Sequence, residues 1–474
     1  MKETYESLLA AVTSDTGIEV ENPATGEIIG KAYSYSAAEL EKVIDKAEAA
    51  QKEWAKKSDQ ERCDILIQAA DAIAESGEAL AQLVAHEQGK AVNPNALGAA
   101  FEVGAIDAWV RTAASLKLEP EVVLDAGGQK ATLYYRPIGV VGGISPWNWP
   151  AMIATWQWAP ALRMGNAIVL KPSSTTPLSV LGVAYLANKV LPEGLLQVTP
   201  GGAELRDAFP ANPRFGRVTF TGSIETGAAI AKAAASNIVP VTLELGGNDA
   251  GIVLPDADPK AIIPGLFWGA FIGGGQTCAA LKRLYVPENL YDEVVEGLAE
   301  FVKGIKVGPG TDPESMMGPL TLEKQRQIVV NLVEDAKARG ARIVTGGDYD
   351  KEAPGYFYPL TLVADIENDA RLVQEEQFGP ALPIIKYKDV DEAVEMANAI
   401  DVGLGGSVWG PADEAREVAM RLETGSVWIN QHGMVNPFAP FGGNKRSGYG
   451  SEFGVEGLKE MGVPMVIHDA PTAA

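Results

Sequence analysis

The sequence predicts an α/β protein with two domains in series, and three observations lead to that prediction. The chain has 474 residues, and at about 100–200 residues per domain this length predicts more than one sizeable core. From Pro137 onward, short apolar runs alternate with helical stretches, which is the rhythm of βαβ units. Continuous apolar runs such as Ala167–Leu170 are typical of a parallel sheet whose two faces are both covered by helices.

The composition excludes several classes of protein. Hydrophobic residues make up 46% of the chain and charged residues 21%, which is typical of a globular fold. A formal net charge of −23 repels nucleic-acid phosphate and anionic lipid, so neither nucleic acid nor a membrane is expected as a partner. Met1–Ala11 lacks a basic region followed by an apolar run, and no apolar stretch approaches the roughly 18–20 residues of a membrane helix. We therefore expect a cytoplasmic protein.

Cysteine and histidine are scarce in this chain. Its 2 cysteines, Cys63 and Cys278, are too few for a disulfide framework, and its 3 histidines are scattered without metal-ligand spacing. No metal site is expected, and catalysis based on histidine starts at a disadvantage.

The N-terminal part is predicted to be mainly helical, as a cover for a sheet that follows. Local turn, capping and periodicity signals support this prediction. The predicted elements are a hairpin over Ile18–Gly30, capping boxes at Ser36/Glu39 and Ser58/Glu61, a helical run Asn93–Leu116, a break at Pro120–Gly128 and a strand at Lys130–Arg136.

The remainder of the chain supplies the alternating elements. Predicted strands lie at 139–144, 167–170, 217–220, 241–245, 342–344, 383–387, 406–409 and 425–430. Predicted helices lie near 177–190, 225–235, 289–303, 322–339, 389–398 and 413–422.

Cys278 is the candidate nucleophile. It lies in Gly273–Ala280, where glycines permit close backbone approach and small neighbours leave the sulfur accessible. A buried, inert cysteine is the alternative, and this segment alone does not decide between the two. Cys63 lies in an amphipathic helical run without glycines, which favours core packing.

Glu244 is the candidate general base. It ends an apolar strand directly before Gly246–Gly247, and apolar surroundings raise the pKa of a carboxyl towards the range in which a base works near neutrality. A glutamate that caps backbone amides in a tight turn is the alternative. The carboxyl end of a parallel strand is, however, where ligands are expected.

Three further segments could contribute to a ligand site. Gly222–Gly227 follows a strand and opens a helix, so its amides could face a phosphate, although a plain strand-to-helix turn would look the same. Lys171 ends another strand, where it could meet ribose hydroxyls or phosphate, with a solvated lysine as the alternative. Asn148, between two tryptophans and two prolines, would be held rigidly as a donor to an oxyanion, although packing alone could explain the tryptophans.

In this order, these segments resemble the aldehyde dehydrogenase superfamily over nearly the whole chain. Seven motifs at compatible spacings carry the resemblance. They are Pro146-Trp147-Asn148-Trp149-Pro150, Lys171-Pro172, Phe220-Thr221-Gly222-Ser223, Glu244-Leu245-Gly246-Gly247, Gly275-Gln276-Thr277-Cys278, Glu376-Gln377-Phe378-Gly379-Pro380 and Pro440-Phe441-Gly442-Gly443.

The resemblance implies an NAD(P)-dependent, non-acylating enzyme that oxidises an aldehyde to a carboxylic acid. It implies that Cys278 attacks the aldehyde, that Asn148 holds the oxyanion and that Glu244 activates water to hydrolyse the thioester. The implied cofactor-binding residues are Trp147, Lys171, Ser174, Gly222, Ser223, Glu376 and Phe378. The implied substrate tunnel contains Trp149, Met152, Trp156 and Thr277.

The family architecture implies two Rossmann-like domains and a small β oligomerisation arm. The cofactor domain would comprise residues 1–116 and 138–244, the catalytic domain 245–440, and the arm 117–137 and 459–474. A homodimer or homotetramer is the expected assembly.

Two departures from the family pattern bear on cofactor and substrate. NAD-preferring members often carry glutamate two residues after the Lys-Pro pair, where this chain has Ser174. Because a serine can donate to the 2′-phosphate that a carboxylate would repel, NADP is the expected cofactor, with NAD as a second possibility. The chain also resembles the succinate-semialdehyde branch but lacks its usual substrate arginine after the Asn148 motif.

The apolar stretch in that place, Met152–Trp158, suits an aliphatic or aromatic aldehyde. A semialdehyde clasped by a distant cation such as Arg283 or Lys445 is the alternative. A non-catalytic protein that keeps the fold, a thiol hydrolase and a CoA-acylating enzyme are weaker alternatives, because Asn148, Glu244 and Cys278 are all retained.

Overall fold

The computed structural model describes residues 2–470 and places most of the chain in two large sheets covered by helices. This architecture confirms the predicted α/β class. Among residues 2–470, no helix combines the length and the apolar character that crossing a membrane requires.

The first part of the chain is mainly helical, as predicted. The hydroxyls of Ser36 and Ser58 accept from the amides of Glu39 and Glu61, so both capping boxes are present. The elements are α1 (Tyr5–Val12), β1 (Ile18–Glu21), β2 (Ile28–Ala32), α2 (Ala37–Trp54), α3 (Asp59–Glu75), α4 (Gly77–Gln88), α5 (Ala99–Ser115), β3 (Glu121–Ala126) and β4 (Gln129–Pro137).

The first large sheet follows directly. Its strands and helices are β5 (Val140–Ile144), α6 (Pro150–Arg163), β6 (Ala167–Lys171), α7 (Pro177–Ala187), β7 (Leu196–Val198), α8 (Ala203–Ala208), β8 (Phe215–Thr221), α9 (Ile224–Ala235) and β9 (Val241–Glu244). These strands are parallel and lie in the order β9-β8-β5-β6-β7. Helices α2 to α5 pack with α6 and α7 in one core that includes the buried strands β5 and β6.

The second large sheet begins five residues after the first one ends. Its elements are β10 (Asp249–Val253), α10 (Pro259–Phe271), β11 (Leu281–Pro287), α11 (Tyr291–Lys303), α12 (Glu323–Ala338), β12 (Arg342–Thr345), β13 (Thr361–Ala364), α13 (Arg371–Gln374), β14 (Ala381–Tyr387), α14 (Val390–Asn398), β15 (Val402–Gly403), β16 (Gly405–Trp409), α15 (Ala412–Ala419) and β17 (Ser426–Ile429). The sheet order is β12-β13-β14-β11-β10-β16-β17, parallel except for the β12–β13 pair. Strand β15 lies outside this sheet.

The C-terminal segment returns to earlier parts of the fold. It consists of β18 (Asn444–Lys445), β19 (Gly448–Tyr449), α16 (Gly454–Glu460) and β20 (Gly462–Asp469). Strand β18 pairs with β15, β19 adds antiparallel to β9, and β20 joins β3 and β4 in a three-stranded sheet. The end of the predicted arm, 471–474, lies outside the described residues.

Two predicted elements differ from the structure. The predicted break at Pro120–Gly128 is wrong, because strand β3 occupies most of it and the turn is confined to Gly127–Gly128, whose φ angles are 62° and 77°. The helical run predicted from Asn93 begins only at Ala99. The chain turns before that point, since Gly98 passes so close to the Ala91 carbonyl that a side-chain carbon there would lie 2.3 Å from its oxygen.

Helices α1, α6, α8, α10, α13 and α16 were not predicted. Helix α6 lacks a capping side chain at its own N-cap and contains Pro160, although Pro150 at its first position is a helix-start signal that the sequence analysis did not use.

Asn166 connects the first sheet to the three-stranded sheet. It is fully buried, its Oδ1 accepts from the amides of Ile138 and Gly139 at 2.6 and 3.1 Å, and its Nδ2 donates to the Met461 carbonyl at 2.8 Å. These bonds fix the end of β4 against the start of β20.

We predict that Asn166→Ala lowers the free energy of unfolding by about 2–3 kcal/mol, because buried backbone groups lose their partners. Chemical denaturation of parent and variant measures this difference. Asn289→Ala, which removes a single bond to the Pro255 carbonyl at an exposed site, is the matched control and should cost less than about 1 kcal/mol. Equal losses in the two variants would contradict the linking role of Asn166.

Candidate active site

The segment that carries Cys278 is a glycine-rich turn. After α10 the chain forms a short 3-10 turn, Ile272–Gly275, and then continues to β11. Gly273, Gly274 and Gly275 have positive φ angles of 60°, 71° and 73°, which glycine adopts without strain. A side-chain carbon on Gly275 would lie 2.4 Å from the carbonyl oxygen of Gly379. These glycines therefore allow two of the sequence motifs to pack directly against each other.

Cys278 lies at the edge of an apolar cluster that includes Trp149. The residue as a whole is partly exposed. Burial of the sulfur away from water nevertheless raises the pKa of the Cys278 thiol to about 12. The Lys282 ammonium opposes this rise in pKa, and the carboxylates of Asp249 and Glu376 reinforce it. Since a thiolate is the nucleophilic form of cysteine, its formation here depends on the neighbouring charges.

Asn148 is held against the cysteine segment. It stands between β5 and α6, its side chain is buried, and its Nδ2 donates to the Gln276 carbonyl at 2.9 Å. Gln276 lies two residues before Cys278. Because a carboxamide has two N–H donors, this bond leaves the second one for a further acceptor beside Cys278.

A buried ion pair fixes the backbone around Asn148. Lys90 Nζ lies 2.6 Å from Glu102 Oε2 and also donates to the Asn148 carbonyl. Glu102 Oε1 accepts from the amides of Ala151 and Met152 at 2.9 and 3.1 Å. Glu102, from α5, therefore supplies the cap that α6 lacks locally.

Glu244 ends β9 and is buried without a hydrogen-bond partner on either carboxylate oxygen. Burial raises the pKa of the Glu244 carboxyl well above its usual value, and the nearby Glu452 carboxylate adds to that rise. Glu452 is itself buried. Its amide and carbonyl pair with those of Phe441, in the Pro440–Gly443 motif, at 2.8 Å. Gly442 packs close to Glu244, where a side-chain carbon would lie 3.5 Å from Oε1.

The carboxyl ends of four parallel strands form one polar edge. In register, Glu244 lies beside Thr221, Phe220 beside Ile144, and Ile144 beside Lys171. The hydroxyls of Ser145 and Thr221 are buried there without partners, as are both oxygens of Glu244. Buried polar groups almost always have partners, so a polar ligand along this edge would complete them.

Helix α9 begins at the same edge. Gly222 donates its amide to the Glu244 carbonyl at 3.0 Å, and Ser223 is the N-cap, with its Oγ accepting from the Thr226 amide at 3.3 Å. The helix start thus presents backbone amides beside the strand ends, where an anionic group would be favoured.

Lys171 ends β6, and Ser174 lies in the turn that follows. Lys171 is buried, and its pKa falls to about 8 because of desolvation and, second, the nearby Arg206 cation. Ser174 is exposed three residues later. Arg206 belongs to α8 and was not predicted as a site residue.

Glu376 and Phe378 come from the second half of the chain. Glu376 Oε1 lies 3.0 Å from Lys282 Nζ, and its Oε2 lies against Gly246, where a side-chain carbon would approach to 2.5 Å. Desolvation raises the pKa of the Glu376 carboxyl. The Phe378 ring meets the Trp147 ring edge-on, with 5.4 Å between centroids. The structure thus brings predicted cofactor residues of both halves together.

Three of the four predicted tunnel residues lie in the apolar cluster at Cys278, and the fourth, Thr277, is bonded to one of them. Trp149, Met152 and Trp156 are all buried, and Trp149 Nε1 donates to Thr277 Oγ1 at 2.9 Å. The cluster has further members that the sequence analysis missed. They include Trp109, Phe441, Phe453, Trp428, Phe101 and Val435.

The two distant cations considered for a substrate carboxylate are bound elsewhere. The Arg283 guanidinium donates to the carbonyls of Asn248 and Ala397 at 2.7 and 2.9 Å. Lys445 Nζ donates to two carbonyls and lies 2.7 Å from Glu423 Oε2. Neither side chain is available to the apolar cluster in this arrangement.

Several charged residues near the site were not predicted, and besides Arg206 they include Lys90, Glu102, Lys282 and Glu452. Lys282 had a local signal, because it stands four residues after Cys278 in an otherwise small or apolar run. Glu452 lies in a glycine-rich segment, Gly450–Gly454, similar in character to the setting of Glu244. Lys90 and Glu102 lie far from the site in sequence and carry no comparable signal.

Comparisons with known proteins identify the family. The profile of the aldehyde dehydrogenase family matches residues 10–466. DhaS of Bacillus subtilis (strain 168), named as an aldehyde dehydrogenase, is 36% identical over 450 residues, which is 93% of this chain and 90% of DhaS.

Two solved structures are also similar. An NADP-dependent enzyme of E. coli superposes with a TM-score of 0.92 at 33% identity, covering 96% of this chain and 95% of the other. A betaine aldehyde dehydrogenase from Staphylococcus aureus in complex with NAD+ gives a TM-score of 0.91 at 33% identity, covering 98% and 94%. With its fold, its motif contacts and these matches, the chain is an enzyme of the aldehyde dehydrogenase family.

Proposed function

We propose that this enzyme oxidises an apolar aliphatic or aromatic aldehyde to the carboxylic acid, with Cys278 as nucleophile and NADP as the preferred cofactor. The observation that carries the proposal is the position of Cys278. Cys278 packs against a tryptophan-rich apolar cluster, and Asn148 contacts its segment at the Gln276 carbonyl. Glu244 ends a strand of the first large sheet, whereas Cys278 comes just before the second sheet's strand β11.

The residues at the strand edge fit a dinucleotide. Unpartnered buried hydroxyls of Ser145 and Thr221, the start of α9 and the Lys171 ammonium offer donors for phosphate and ribose. Glu376 would accept from ribose hydroxyls, and Trp147 with Phe378 would enclose the nicotinamide end. When bound, a nicotinamide dinucleotide accepts the hydride that leaves the substrate carbon.

The chain's own residues would perform the remaining steps. The Cys278 thiolate attacks the carbonyl carbon, and the resulting oxyanion accepts from Asn148 Nδ2 and a backbone amide at Cys278. After hydride loss a thioester remains on Cys278. Glu244 takes a proton from water, the water attacks the thioester, and the acid leaves as the thiolate is restored.

The apolar cluster favours an apolar substrate. Trp149, Met152 and Trp156 pack with Trp109 and other aromatic residues next to Cys278, and as a tunnel they would line the approach to its sulfur. Such a surface favours a hydrocarbon chain or ring through burial of apolar area. The semialdehyde alternative gains no support, because Arg283 and Lys445 are bound to other partners.

The cofactor preference rests on Ser174 and on the Lys171 ammonium three residues before it. Ser174 carries no charge, and the Lys171 ammonium lies near the Arg206 guanidinium, which is itself paired with Asp207 at 2.8 Å. The Lys171 ammonium would stabilise a 2′-phosphate dianion, to which Ser174 can donate. NAD would bind with fewer charge-assisted bonds.

Assembly and domain division extend the proposal. We propose a cofactor domain of residues 1–116 and 138–244 and a catalytic domain of 245–440, because the two large sheets divide at that boundary. The three-stranded sheet exposes Val122, Val466 and Ile467, which supports its use as the arm of a homodimer or homotetramer. A cytoplasmic location remains our expectation from the sequence.

Cys278→Ser should lower turnover by at least about a thousandfold, or ~4 kcal/mol, while leaving cofactor binding nearly intact. The hydroxyl has a much higher pKa than the thiol, so almost no anion forms. Absorbance at 340 nm with NADP and an aldehyde measures turnover. Cys63→Ser is the control, because Cys63 is buried and donates only to the Ala114 carbonyl. Turnover of Cys278→Ser within tenfold of the parent would remove Cys278 from its role.

Glu244→Gln should slow thioester hydrolysis more than acylation, because glutamine cannot accept a proton from water. Pre-steady-state formation of NADPH should show a burst of about one equivalent followed by a slow phase. In the parent, thioester hydrolysis should accelerate as pH rises. Only the ionised form of Glu244 is a base, and its raised pKa means that this form becomes more abundant at higher pH. Glu193→Gln, at an exposed position in the loop between α7 and β7, should behave like the parent. An unchanged steady-state rate in Glu244→Gln refutes the assignment.

Ser174→Glu should weaken NADP binding relative to NAD by roughly 30- to 150-fold, corresponding to about 2–3 kcal/mol. The new carboxylate would face the 2′-phosphate but could still accept from a free 2′-hydroxyl. Titration of both cofactors into the parent and into this variant measures the ratio. Ser174→Ala, which removes the donor without adding charge, should produce a smaller shift. A parent that strongly prefers NAD, or an unchanged ratio in Ser174→Glu, would show that Ser174 does not face the 2′ position.

A further inference from the structure

Lys282 is a buried cation to which the steps above assign no role. It is the second residue of β11, four positions after Cys278, and its side chain is only 2% exposed. A charged amine is costly to bury unless it is paired and hydrogen-bonded. Its partners therefore indicate what the charge does at this place.

Both partners of Lys282 belong to the candidate site. Its Nζ donates to the carbonyl oxygen of Cys278 and lies 3.0 Å from Glu376 Oε1. The same ammonium lies 5.7 Å from the centroid of the Phe378 ring. Lys282 thus joins the backbone of the proposed nucleophile to the carboxylate proposed to bind the cofactor ribose.

The other charged groups around the thiol are mainly acidic. Asp249, from the adjacent strand β10, and Glu376 both disfavour the thiolate, whereas Lys282 favours it. His432 faces Asp249, with 3.6 Å between Nε2 and Oδ2. The next cation along β11, Arg283, is bound to backbone carbonyls. Lys282 is therefore the cation placed to balance the two carboxylates.

We propose that Lys282 is a positioning residue for catalysis, whose ammonium neutralises Glu376 and stabilises the thiolate of Cys278 from the carbonyl side of the same residue. This inference rests on the proposed role of Cys278. An ammonium has three donors, so it can serve the carbonyl and the carboxylate at once. An opposite charge within about 4–6 Å favours the ionised form of a titratable group.

Because Cys278 and Glu376 share one cation, removing the charge of Lys282 and removing the charge of Glu376 should change the thiolate fraction of Cys278 in opposite directions. Without the Lys282 charge, two carboxylates act on the sulfur with no cation to offset them, and the thiolate becomes rarer. Without the Glu376 charge, the whole field of the ammonium acts on the cysteine segment, and the thiolate becomes more abundant. A residue that only fills space would not reverse the sign in this way.

The test is the rate of alkylation of Cys278 by iodoacetamide, in full-length protein carrying Cys63→Ser and without cofactor or aldehyde. The thiolate displaces iodide as the sulfur–carbon bond forms, so the rate follows the thiolate fraction. Lys282→Met should lower the rate about tenfold or more at each pH between about 6.5 and 9.5, equivalent to a profile moved up by at least about one pH unit.

Three companion variants complete the test. Lys282→Arg should keep most of the rate, and Glu376→Gln should raise it. Lys386→Met removes a lysine on β14 whose ammonium lies 4.4 Å from the Tyr291 ring centroid, and it should leave the profile unchanged.

A Lys282→Met profile that superimposes on the parent overturns the proposal, as does a slower rate in both Lys282→Met and Glu376→Gln. If Lys282→Met does not fold, the sign of the change in Glu376→Gln decides. The readout needs no aldehyde oxidation, so it is independent of the turnover of Cys278→Ser that tests the proposed function.

Discussion

Close packing of glycine backbone against charged and reactive groups is the constraint on which this site depends. Gly246 leaves room for the Glu376 carboxylate, and Gly247 lies near the Cys278 carbonyl, where a side-chain carbon would approach to 3.2 Å. Gly275 likewise lies directly against the Gly379 carbonyl. Any side chain at these positions would push the packed backbone segments apart. The glycines of several motifs therefore share one structural role, which is to permit close backbone contact. They allow parts of both sheets to meet within hydrogen-bond range.

Within that frame, buried charges divide into two kinds. Lys90 with Glu102 and Lys282 with Glu376 are paired at 2.6 and 3.0 Å, and each pair also contacts backbone of a proposed catalytic residue. Glu244 is instead left without a hydrogen-bond partner. Paired charges keep geometry, whereas an unpaired carboxyl keeps a high affinity for a proton. In the proposed mechanism, the paired charges hold atoms in place and the unpaired carboxyl transfers protons.

Sequence patterns predicted the fold class, both capping boxes and most strands of the two sheets, because these depend on local periodicity and on short-range hydrogen bonds. The contacts of Asn148 could not be predicted in the same way. Its backbone is held by Lys90, and the cap of α6 is Glu102, which lies on another helix. Strand β3 was missed because its flanking turn signals dominated a short exposed run. Interactions across long sequence separations leave no local pattern.

The return of the C-terminal segment has a consequence for how the protein is made. Gly448 pairs with Glu244, and Gly442 and Glu452 form part of the surroundings of that carboxylate. During synthesis, Asn148, Glu244 and Cys278 emerge from the ribosome well before these residues do. The helices that cover the first sheet can pack during synthesis, but the sheet edge at β9 stays open until β19 has been made. The nascent chain would therefore contain every proposed catalytic group while Glu244 still faced water, and the surroundings of that carboxylate would be completed only when residues 442–452 arrive.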